Sequence, residues 1–438
     1  MTANNHKPDA VVHGNRPSRG EPTMTDSTSR RGFLKTVSAG AAAASMSAVS
    51  YAKVVGANER ISIAVVGCGV RGYKAHMPGV QKYAKSENIE ITAVVDPWKP
   101  QRERASVKTQ EWFGRPARKF VSYRDVLALD DVDAVMIASC DHQHTTHLEA
   151  AAKAGKDAIC EKPLARDMQS LRQCYDAVQS SDIVCQMGTQ SRSRSETTGC
   201  QKLYRSGALG QLSRVEQRRN GRKPFWYSRL ADAKKSEVEW SEFLTGLPNR
   251  PFDAELFTGW MGYREFCDGS VPQLGVHFLD TMHYITGATL PTSCVAQAGT
   301  YVWKDEHEFT CPDHVESTWE YPEGFLVSYV TNFGNSSDNA TRYCGTHGLL
   351  DLSSGSKPVV SSTGATMPGK LGKEQPVEPV ETTEHFLNWL KCLRSRETPN
   401  ASIEAGYQHS VASIMSVQAM DTGKRQVYDA ERREVREG

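Results

Sequence analysis

The chain has 438 residues, with 52 Lys and Arg against 51 Asp and Glu, so its formal net charge is +1. This balance, without a long run of one sign, gives no indication of nucleic acid or an anionic membrane as a partner. Hydrophobic residues make up 39% of the chain, which is enough for real cores, and the length predicts two domains. The 11 cysteines form no C-x-x-C pair, which excludes a small disulfide scaffold.

The first segment has the pattern of an export leader. Ser29–Lys35 reads S-R-R-G-F-L-K, which matches the twin-arginine signal, and a mild apolar stretch follows at Val37–Val49. That stretch is too short to span a bilayer. We therefore expect residues 1–52 to be a leader that sends the folded protein to the periplasm through the twin-arginine translocase. Translation can start at Met1 or at Met24, and the sequence leaves this choice open.

Strand and helix patterns alternate from residue 60 to about residue 182. The candidate strands are short, mostly apolar runs, namely Ile61–Val66, Ile89–Val95, Ala134–Ala138 and Asp157–Cys160. Such alternation predicts a parallel sheet with helices on both faces. We therefore expect an N-terminal Rossmann domain over residues 60–182.

The pattern changes in residues 183–438, where apolar and polar residues alternate within strands joined by long loops. The candidate strands are Ser213–Arg218, Cys294–Tyr301, Val315–Tyr321 and Phe325–Thr331. This pattern predicts an open, mostly antiparallel sheet with one face that is either exposed or covers a ligand. Two closing helices complete an α/β domain, with apolar stripes at Phe386, Trp389, Leu390 and Leu393 and at Tyr407, Val411, Ile414 and Met415.

The first candidate strand runs directly into the motif G-x-G-x-x-G. Glycines at such a turn let the backbone approach a pyrophosphate at the start of a helix. Asp96 ends the second strand, at the spacing of a carboxylate that binds ribose hydroxyls. This carboxylate would repel a 2′-phosphate, so NAD is favoured over NADP, although Lys99 and Arg102 nearby weaken the preference. The predicted cofactor-binding residues of this part are Gly67, Gly69, Val70, Arg71, Gly72 and Asp96.

Two further motifs carry a family resemblance. Ser139–His144 reads S-C-D-H-Q-H and Glu161–Pro163 reads E-K-P, and together they resemble the Gfo/Idh/MocA oxidoreductases. The resemblance continues through Met187–Gln190, Gly269–Asp280 and His385–Tyr428, so it covers essentially the whole chain after the leader. It implies an N-terminal Rossmann domain and a C-terminal α/β domain whose open sheet faces the nicotinamide. Substrates in the family are mostly sugars, cyclitols and their derivatives.

The resemblance also implies the catalytic residues. Lys162 matches the lysine that holds the reacting hydroxyl near the nicotinamide, and His277 matches the catalytic histidine. Hydride transfer from a carbinol needs such groups because the hydroxyl proton must be taken up. Gln273 stands where the family has an aspartate, and a glutamine cannot accept a proton. We therefore expect His277 to carry the proton, Lys162 to position the hydroxyl or share that task, and Gln273 to hydrogen-bond the substrate.

The turn after the third strand has two interpretations. The family resemblance places His144 beside the nicotinamide and adds Ser139, Glu161 and Lys162 to the cofactor-binding set. A metal site would instead use Asp141, His142, His144 and His147. Nothing in the sequence completes such a site, so we expect no metal.

Aromatic residues are frequent in the long loops of the second half. They are Trp226, Tyr227, Trp240, Trp260 and Tyr263. Rings at such positions suit stacking on the apolar faces of sugars, and they equally suit ordinary loop packing. The sequence leaves both interpretations open.

These features predict an exported oxidoreductase that transfers a hydride between a sugar or cyclitol hydroxyl carbon and nicotinamide. Because an exported enzyme cannot easily reach the cytoplasmic NAD pool, we expect the cofactor to be tightly bound. A redox-neutral, NAD-dependent glycosidase similar to exported N-acetylgalactosaminidases is an alternative, and so is a non-catalytic sugar-binding protein. The expected partners are a small carbohydrate or cyclitol, the translocase during export and, by the family resemblance, further copies of the chain in a homo-dimer or homo-tetramer.

Overall fold

A computed structural model describes residues 59–438, and the predicted leader over residues 1–52 lies outside them. The first half contains a six-stranded parallel sheet with the order β3-β2-β1-β4-β5-β6. Its strands are β1 (Ile61–Val66), β2 (Ile89–Val95), β3 (Arg118–Phe120), β4 (Ala134–Ile137), β5 (Asp157–Cys160) and β6 (Cys185–Met187). This order is that of a Rossmann fold, as the sequence predicts.

Helices connect these parallel strands. They are α1 (Met77–Gln81), α2 (Lys99–Phe113), α3 (Tyr123–Leu127), α4 (His144–Lys153) and α5 (Met168–Gln179), and a wider π-type turn (Gly72–His76) precedes α1. The sequence of α5 shows why such a helix forms here. Asp167 caps its first turn by accepting the amide of Ser170 at 2.8 Å, and Leu171, Cys174 and Val178 are buried on one face.

The first sheet extends past residue 182, where the sequence analysis places the end of the Rossmann domain. Strand β6 begins at Cys185 and pairs with β5. It has only three residues, and the central Gln186 is a buried polar residue whose amide donates to the His385 carbonyl at 2.9 Å. A strand this short, with a polar centre, carries no apolar signal in the sequence.

The second half contains a ten-stranded sheet with the order β14-β13-β12-β11-β7-β10-β9-β8-β15-β16. Its strands are β7 (Leu212–Arg218), β8 (Ser293–Gly299), β9 (His314–Tyr321), β10 (Phe325–Asn332), β11 (Ala340–Gly345), β12 (Gly348–Asp351), β13 (Val359–Ser361), β14 (Gln375–Pro376), β15 (Gln426–Asp429) and β16 (Glu434–Glu437). Only β7 and β10 pair in parallel among these strands. The prediction of an open, mostly antiparallel sheet is confirmed.

The second half also contains six α-helices, of which α9 and α11 pack on one face of this sheet. The six are α6 (Ser195–Arg205), α7 (Trp240–Phe243), α8 (Ala254–Thr258), α9 (Val276–Thr286), α10 (His385–Ser395) and α11 (Ile403–Thr422). Residues of β9 and β10 are alternately buried, and the Trp319 indole donates to the Ala412 carbonyl of α11 at 2.8 Å. Among residues 59–438 no helix combines the length and the apolar composition that crossing a membrane requires.

Helix α10 does not stay with the second sheet. Its apolar stripe packs into the core of the Rossmann domain, against residues such as Ile63 and Val65. The approach is close: a Cβ on Gly79 would lie 2.4 Å from the Phe386 ring. The two domains therefore share part of one hydrophobic core.

Candidate active site

A cleft of about 500 Å³ lies at the carboxyl ends of the parallel strands. Gly67 and Gly69 line one part of it, and Lys162, Gln273 and His277 line another. Ligands of open parallel sheets bind at this edge. One continuous cavity therefore joins the predicted dinucleotide turn to the predicted catalytic residues.

The glycine turn is constrained at two positions and open at a third. Gly67 has a φ of +92°, and a Cβ there would lie 2.5 Å from the Ala138 carbonyl oxygen. A Cβ on Gly72 would lie 1.9 Å from the Gly67 carbonyl oxygen. A Cβ on Gly69 would meet nothing within 4 Å, and this residue lines the cleft. The missing side chain at position 69 therefore leaves backbone that a pyrophosphate can approach, which fits a dinucleotide.

Asp96 is held firmly at the end of β2. Its carboxylate accepts the amide of Cys68 at 2.7 Å and that of Trp98 at 2.8 Å. Burial raises the pKa of Asp96 to about 6. Arg102 donates to the Asp96 carbonyl at 3.0 Å, so it does not neutralise the carboxylate directly. The residue lines the cleft, where its carboxylate oxygens can accept hydrogen bonds from the hydroxyl groups of a ribose.

Glu161 and Arg71 form a connection across the cleft wall. The Glu161 carboxylate accepts Arg71 Nε at 2.5 Å and lies 2.8 Å from His76 Nε2. Burial acts to raise the pKa of Glu161, but the His76 hydrogen bond and the charges of Arg71 and Lys162 lower it well below its usual range. A Cβ on Gly188 would lie 2.7 Å from this carboxylate, so a side chain there would displace the carboxylate from these contacts. The contact fixes Arg71 of the glycine turn to the E-K-P segment.

Lys162 lies close after the end of β5, and Gln273 holds its ammonium group by two hydrogen bonds. Its ammonium donates to the Gln273 carbonyl oxygen at 2.9 Å and to Gln273 Oε1 at 3.0 Å. Gln273 Nε2 in turn donates to the Asp141 carboxylate. Burial lowers the pKa of Lys162, and the negative charges of Glu161 and Asp141 partly offset this effect. The structure thus brings together two predicted catalytic residues and one residue, Asp141, that the sequence analysis weighs only as a metal ligand.

His277 lies in the first turn of α9, directly after a π-type turn (Val271–Gly275). Its ring has no hydrogen-bond partner among residues 59–438, and the residue lines the cleft beside Lys162. Burial, followed by the charge of Lys162, lowers the pKa of His277 to about 3. The ring is therefore neutral and free to hydrogen-bond a ligand.

The histidines after β4 have different partners. Both His144 ring nitrogens lie against carbonyl oxygens, of Pro163 at 2.7 Å and of Ser139 at 3.0 Å. His147 Nδ1 lies 3.0 Å from Ser139 Oγ, and His142 Nε2 lies 2.8 Å from the Phe243 carbonyl oxygen. Within residues 59–438 no group of three or more His, Cys, Asp or Glu is placed to hold a metal. Ser139 and His144 both line the cleft, and the placement of His144 beside a nicotinamide stays a prediction.

The loop aromatics divide into packing residues and one cleft residue. Trp226 and Trp240 are buried in two separate clusters, and Trp240 stacks on Phe243 with ring centroids 5.0 Å apart. The Tyr227 hydroxyl donates to Asp305, and the Tyr263 hydroxyl donates to Glu255. Of the five predicted residues, Trp260 alone lines the cleft. Sequence cannot make this distinction, because the part of the chain that carries all five has no regular apolar periodicity.

Two cleft arginines are absent from the sequence predictions. Arg219 directly follows β7, and Arg229 lies in the loop beyond it; both line the cleft. Neither forms an ion pair within the described part of the chain, and Arg229 Nε is buried without a partner there. They could not have been selected from sequence, because no motif distinguishes them from the 52 Lys and Arg of the chain.

Residues 219–268, here called the bridging segment, attach the second domain to the cofactor end of the cleft. Val238 pairs with Trp98, and the amide of Glu239 donates to the Pro97 carbonyl at 3.0 Å. Gln143 Nε2 donates to the Glu242 carbonyl at 2.9 Å. Phe243 and Phe257 of this segment line the cleft. The segment therefore walls the cleft next to Asp96.

This fold and site define a two-domain protein with an NAD-binding Rossmann domain. A family model described as "Oxidoreductase family, NAD-binding Rossmann fold" matches residues 61–189, and the model of the Gfo/Idh/MocA C-terminal domain matches residues 241–351. The two matches cover more than half of the chain. The chain belongs to the Gfo/Idh/MocA family.

Curated relatives match mainly over part of the chain. The inositol 2-dehydrogenase of Corynebacterium glutamicum is 30% identical over 156 residues, which is 35% of this chain and 44% of that protein. The levoglucosan dehydrogenase of Pseudarthrobacter phenanthrenivorans is 30% identical over 35% of this chain and 39% of its own. A glycosyl hydrolase family 109 protein of a Shewanella species is 26% identical over 42% of this chain and 44% of its own. The chain thus matches less than half the length of each of these relatives.

Solved structures match over a larger share of the chain. The aldose-aldose oxidoreductase of Caulobacter crescentus, complexed with glycerol, has a TM-score of 0.63 at 20% identity and covers 84% of this chain and 99% of its own. Levoglucosan dehydrogenase in complex with NADH has a TM-score of 0.63 at 17% identity and covers 84% of this chain and 98% of its own. At these identities the likeness establishes the fold of both domains.

Proposed function

We propose that the protein is an NAD-dependent oxidoreductase that acts on a hydroxyl-bearing carbon of a sugar or cyclitol. The observation that carries this proposal is the single cleft that joins the open backbone of Gly69 to Lys162 and His277. Relatives named for inositol and levoglucosan support a polyhydroxylated ring as the substrate class.

Lys162 is the residue that we assign to proton transfer. A bound nicotinamide supplies the hydride acceptor, and the substrate hydroxyl must lose its proton as the hydride leaves the carbon. A lowered pKa favours the neutral amine form of Lys162. In that form Nζ takes the proton, and the resulting ammonium returns it in the reverse direction. His277, with a pKa of about 3, holds a proton poorly, so its neutral ring serves as a hydrogen-bond partner for the substrate. This division differs from the sequence-based expectation, in which His277 carries the proton.

The cofactor is tightly retained in this proposal, and the protein works outside the cytoplasm. Contacts of the bridging segment next to Asp96 support retention, because they wall the cleft where a dinucleotide would enter. The S-R-R-G-F-L-K motif supports export. Replacing Arg30 and Arg31 with lysine tests export: the protein is then expected in the cytoplasmic fraction instead of the periplasmic fraction. Equal periplasmic amounts for both versions would contradict it.

The activity test uses protein purified with its bound nucleotide. Sugars and cyclitols are added with an artificial electron acceptor, and the absorbance of reduced nicotinamide is followed. A substrate-dependent rise, followed by turnover with the acceptor, is expected for at least one polyhydroxylated ring. Protein that contains no dinucleotide and takes none up would contradict the proposal.

A second candidate is a redox-neutral glycosidase that oxidises the sugar transiently and returns the hydride. The similarity to a glycosyl hydrolase family 109 protein favours it, since that match covers 42% of the chain. Aryl glycosides test it: release of the aglycone without net formation of reduced nicotinamide indicates the glycosidase. Sugar binding without either reaction indicates a non-catalytic sugar-binding protein.

A further inference from the structure

Position 273 has no carboxylate, but a carboxylate from another part of the chain, that of Asp141, lines the same cleft. Asp141, which directly follows β4 in the Rossmann domain, lies against the side chain of Gln273, which comes from the second domain. Both residues are buried, with exposed fractions of 3% and 6%. A buried carboxylate must be hydrogen-bonded or paired, because burying an ionised carboxylate without a partner costs far more than burying a neutral polar group. The partner here is the Gln273 amide.

The orientation of the Gln273 amide follows from its neighbours. The Lys162 ammonium has only donors, so the atom that it contacts at 3.0 Å must be the amide oxygen. The nitrogen of the same amide then faces the Asp141 carboxylate, which accepts from it. Lys162, Gln273 and Asp141 therefore form a directed chain of hydrogen bonds, with a positive charge at one end and a negative charge at the other.

We propose that Asp141 supplies the Lys162 site with the negative charge that position 273 lacks, and that the Gln273 amide connects the two. Asp141 is a positioning residue in this arrangement. It fixes the amide that orients Lys162 Nζ, and it stabilises the ammonium that forms when Lys162 takes a proton. The inference rests on the proposed function, because it assigns proton transfer to Lys162.

The surroundings of both groups are consistent with this role. The groups that face Lys162 are Glu161, Asp141, Arg71, His277 and the Cys267 thiol. Those that face Asp141 are His144, Lys162, Gln273 and Cys267. The Glu161 carboxylate already binds Arg71 and His76. Asp141 is therefore the carboxylate near Lys162 that has no cationic side chain bound to it among the described residues.

The test moves the carboxylate from one domain to the other. Asp141→Asn keeps an oxygen that can accept from Gln273 but removes the charge. Gln273→Asp places a second carboxylate against the first, and the two then compete for one proton. The double variant carries a single carboxylate at position 273, beside Lys162. Asp131→Asn is the matched control, because Asp131 is an exposed aspartate of the same domain that pairs with Arg118 at 2.9 Å.

Two measurements decide the outcome. For the oxidation reaction, Asp141→Asn is expected to lower kcat about 10- to 100-fold and to move the acid limb of the pH–rate profile down by about one pH unit, because removing a nearby negative charge lowers the pKa of an ammonium group. If the two substitutions acted independently, the loss in kcat of the double variant would equal the product of the losses of the two single variants. The double variant is expected to lose less than that product. An unshifted acid limb for Asp141→Asn, or a double variant whose loss equals or exceeds that product, overturns the inference.

A readout independent of turnover separates this inference from the proposed function. Reductive ¹³C-methylation labels the lysines, and Lys162→Ala identifies the NMR signal of Lys162. The midpoint of its titration is expected to fall in Asp141→Asn and to stay unchanged in Asp131→Asn. An unchanged midpoint in Asp141→Asn overturns the Asp141 connection even if the wild-type protein is an active oxidoreductase. A shifted midpoint in a protein that oxidises no sugar contradicts only the proposed function.

Discussion

At its glycine-turn end the cleft is lined by residues close together in the sequence, among them Gly67, Gly69, Val70 and Arg71, whereas at its Lys162 end it is lined by side chains far apart in the sequence. Lys162 and Gln273 are 111 residues apart, and Asp141 and Gln273 are 132 apart. A local backbone shape leaves a motif in the sequence. A long-range cluster of side chains leaves only short, separate motifs, so contacts such as the one between Asp141 and Gln273 appear only in the folded chain.

The largest expected effect concerns the Lys162 end of the cleft. Lys162→Met removes the proton acceptor while it keeps the length of the side chain, so turnover is expected to fall at least about 10³-fold. Bound NAD, measured by absorbance after denaturation, is expected to stay near the wild-type amount. Lys153→Met, at an exposed lysine that pairs with Glu149, is the control. Turnover within tenfold of wild type would show that another group takes the proton.

The next largest effect is expected at the glycine-turn end of the cleft, where two alanine substitutions can be compared. Gly69→Ala places a methyl group in the open cleft, so NAD affinity is expected to fall about 100-fold while thermal stability is kept. Gly72→Ala forces a Cβ against the Gly67 carbonyl oxygen, 1.9 Å away, so the unfolding temperature is expected to fall as well. Equal effects of both substitutions on stability would contradict the difference that we draw between the two positions.

A smaller effect is expected for His277. His277→Gln keeps a hydrogen-bonding group but changes its reach, so kcat/KM is expected to fall about 10- to 50-fold. Because a ring with a pKa of about 3 does not titrate near neutral pH, the pH–rate profile is expected to keep its shape. If one limb of the pH–rate profile disappeared in this variant, His277 and not Lys162 would be the residue that transfers the proton.

The smallest effect concerns the aromatic residues. Trp260→Leu removes a ring from the cleft wall, and KM for the sugar is expected to rise about fivefold with kcat nearly unchanged. Trp226→Leu, at a buried tryptophan outside the cleft lining, is expected to lower the unfolding temperature without changing KM. If Trp226→Leu instead raised KM and Trp260→Leu did not, the division between packing and cleft aromatics would be wrong.

The sequence predicts the Rossmann half well because its signals are local. The strands β1, β2, β4 and β5 follow apolar runs, and the observed bounds agree with the predicted ones within one residue. Strand β6 is missed because its centre is the polar Gln186, which is satisfied by a carbonyl 199 residues away. A partner at that distance along the chain leaves no local pattern.

The candidate site is predicted in part. The family motifs locate Lys162, His277 and Gln273, and the structure places all three in one cleft. The contact between Asp141 and Gln273 is not visible in the sequence, because it joins residues of two domains. Arg219 and Arg229 are missed for the same reason: their position in the cleft follows from the bridging segment, which has no regular periodicity.

The packing of α10 on the Rossmann core has a practical consequence for dissecting the protein. A fragment that ends after β6 would contain every strand of the first sheet and the whole G-x-G-x-x-G motif, yet it would lack the Phe386 and Trp389 side chains that cover its own apolar surface. Such a fragment is expected to aggregate. An isolated nucleotide-binding domain of this chain therefore needs helix α10 to cover this surface. The helix can be co-expressed, or a linker can join His385–Ser395 to the domain.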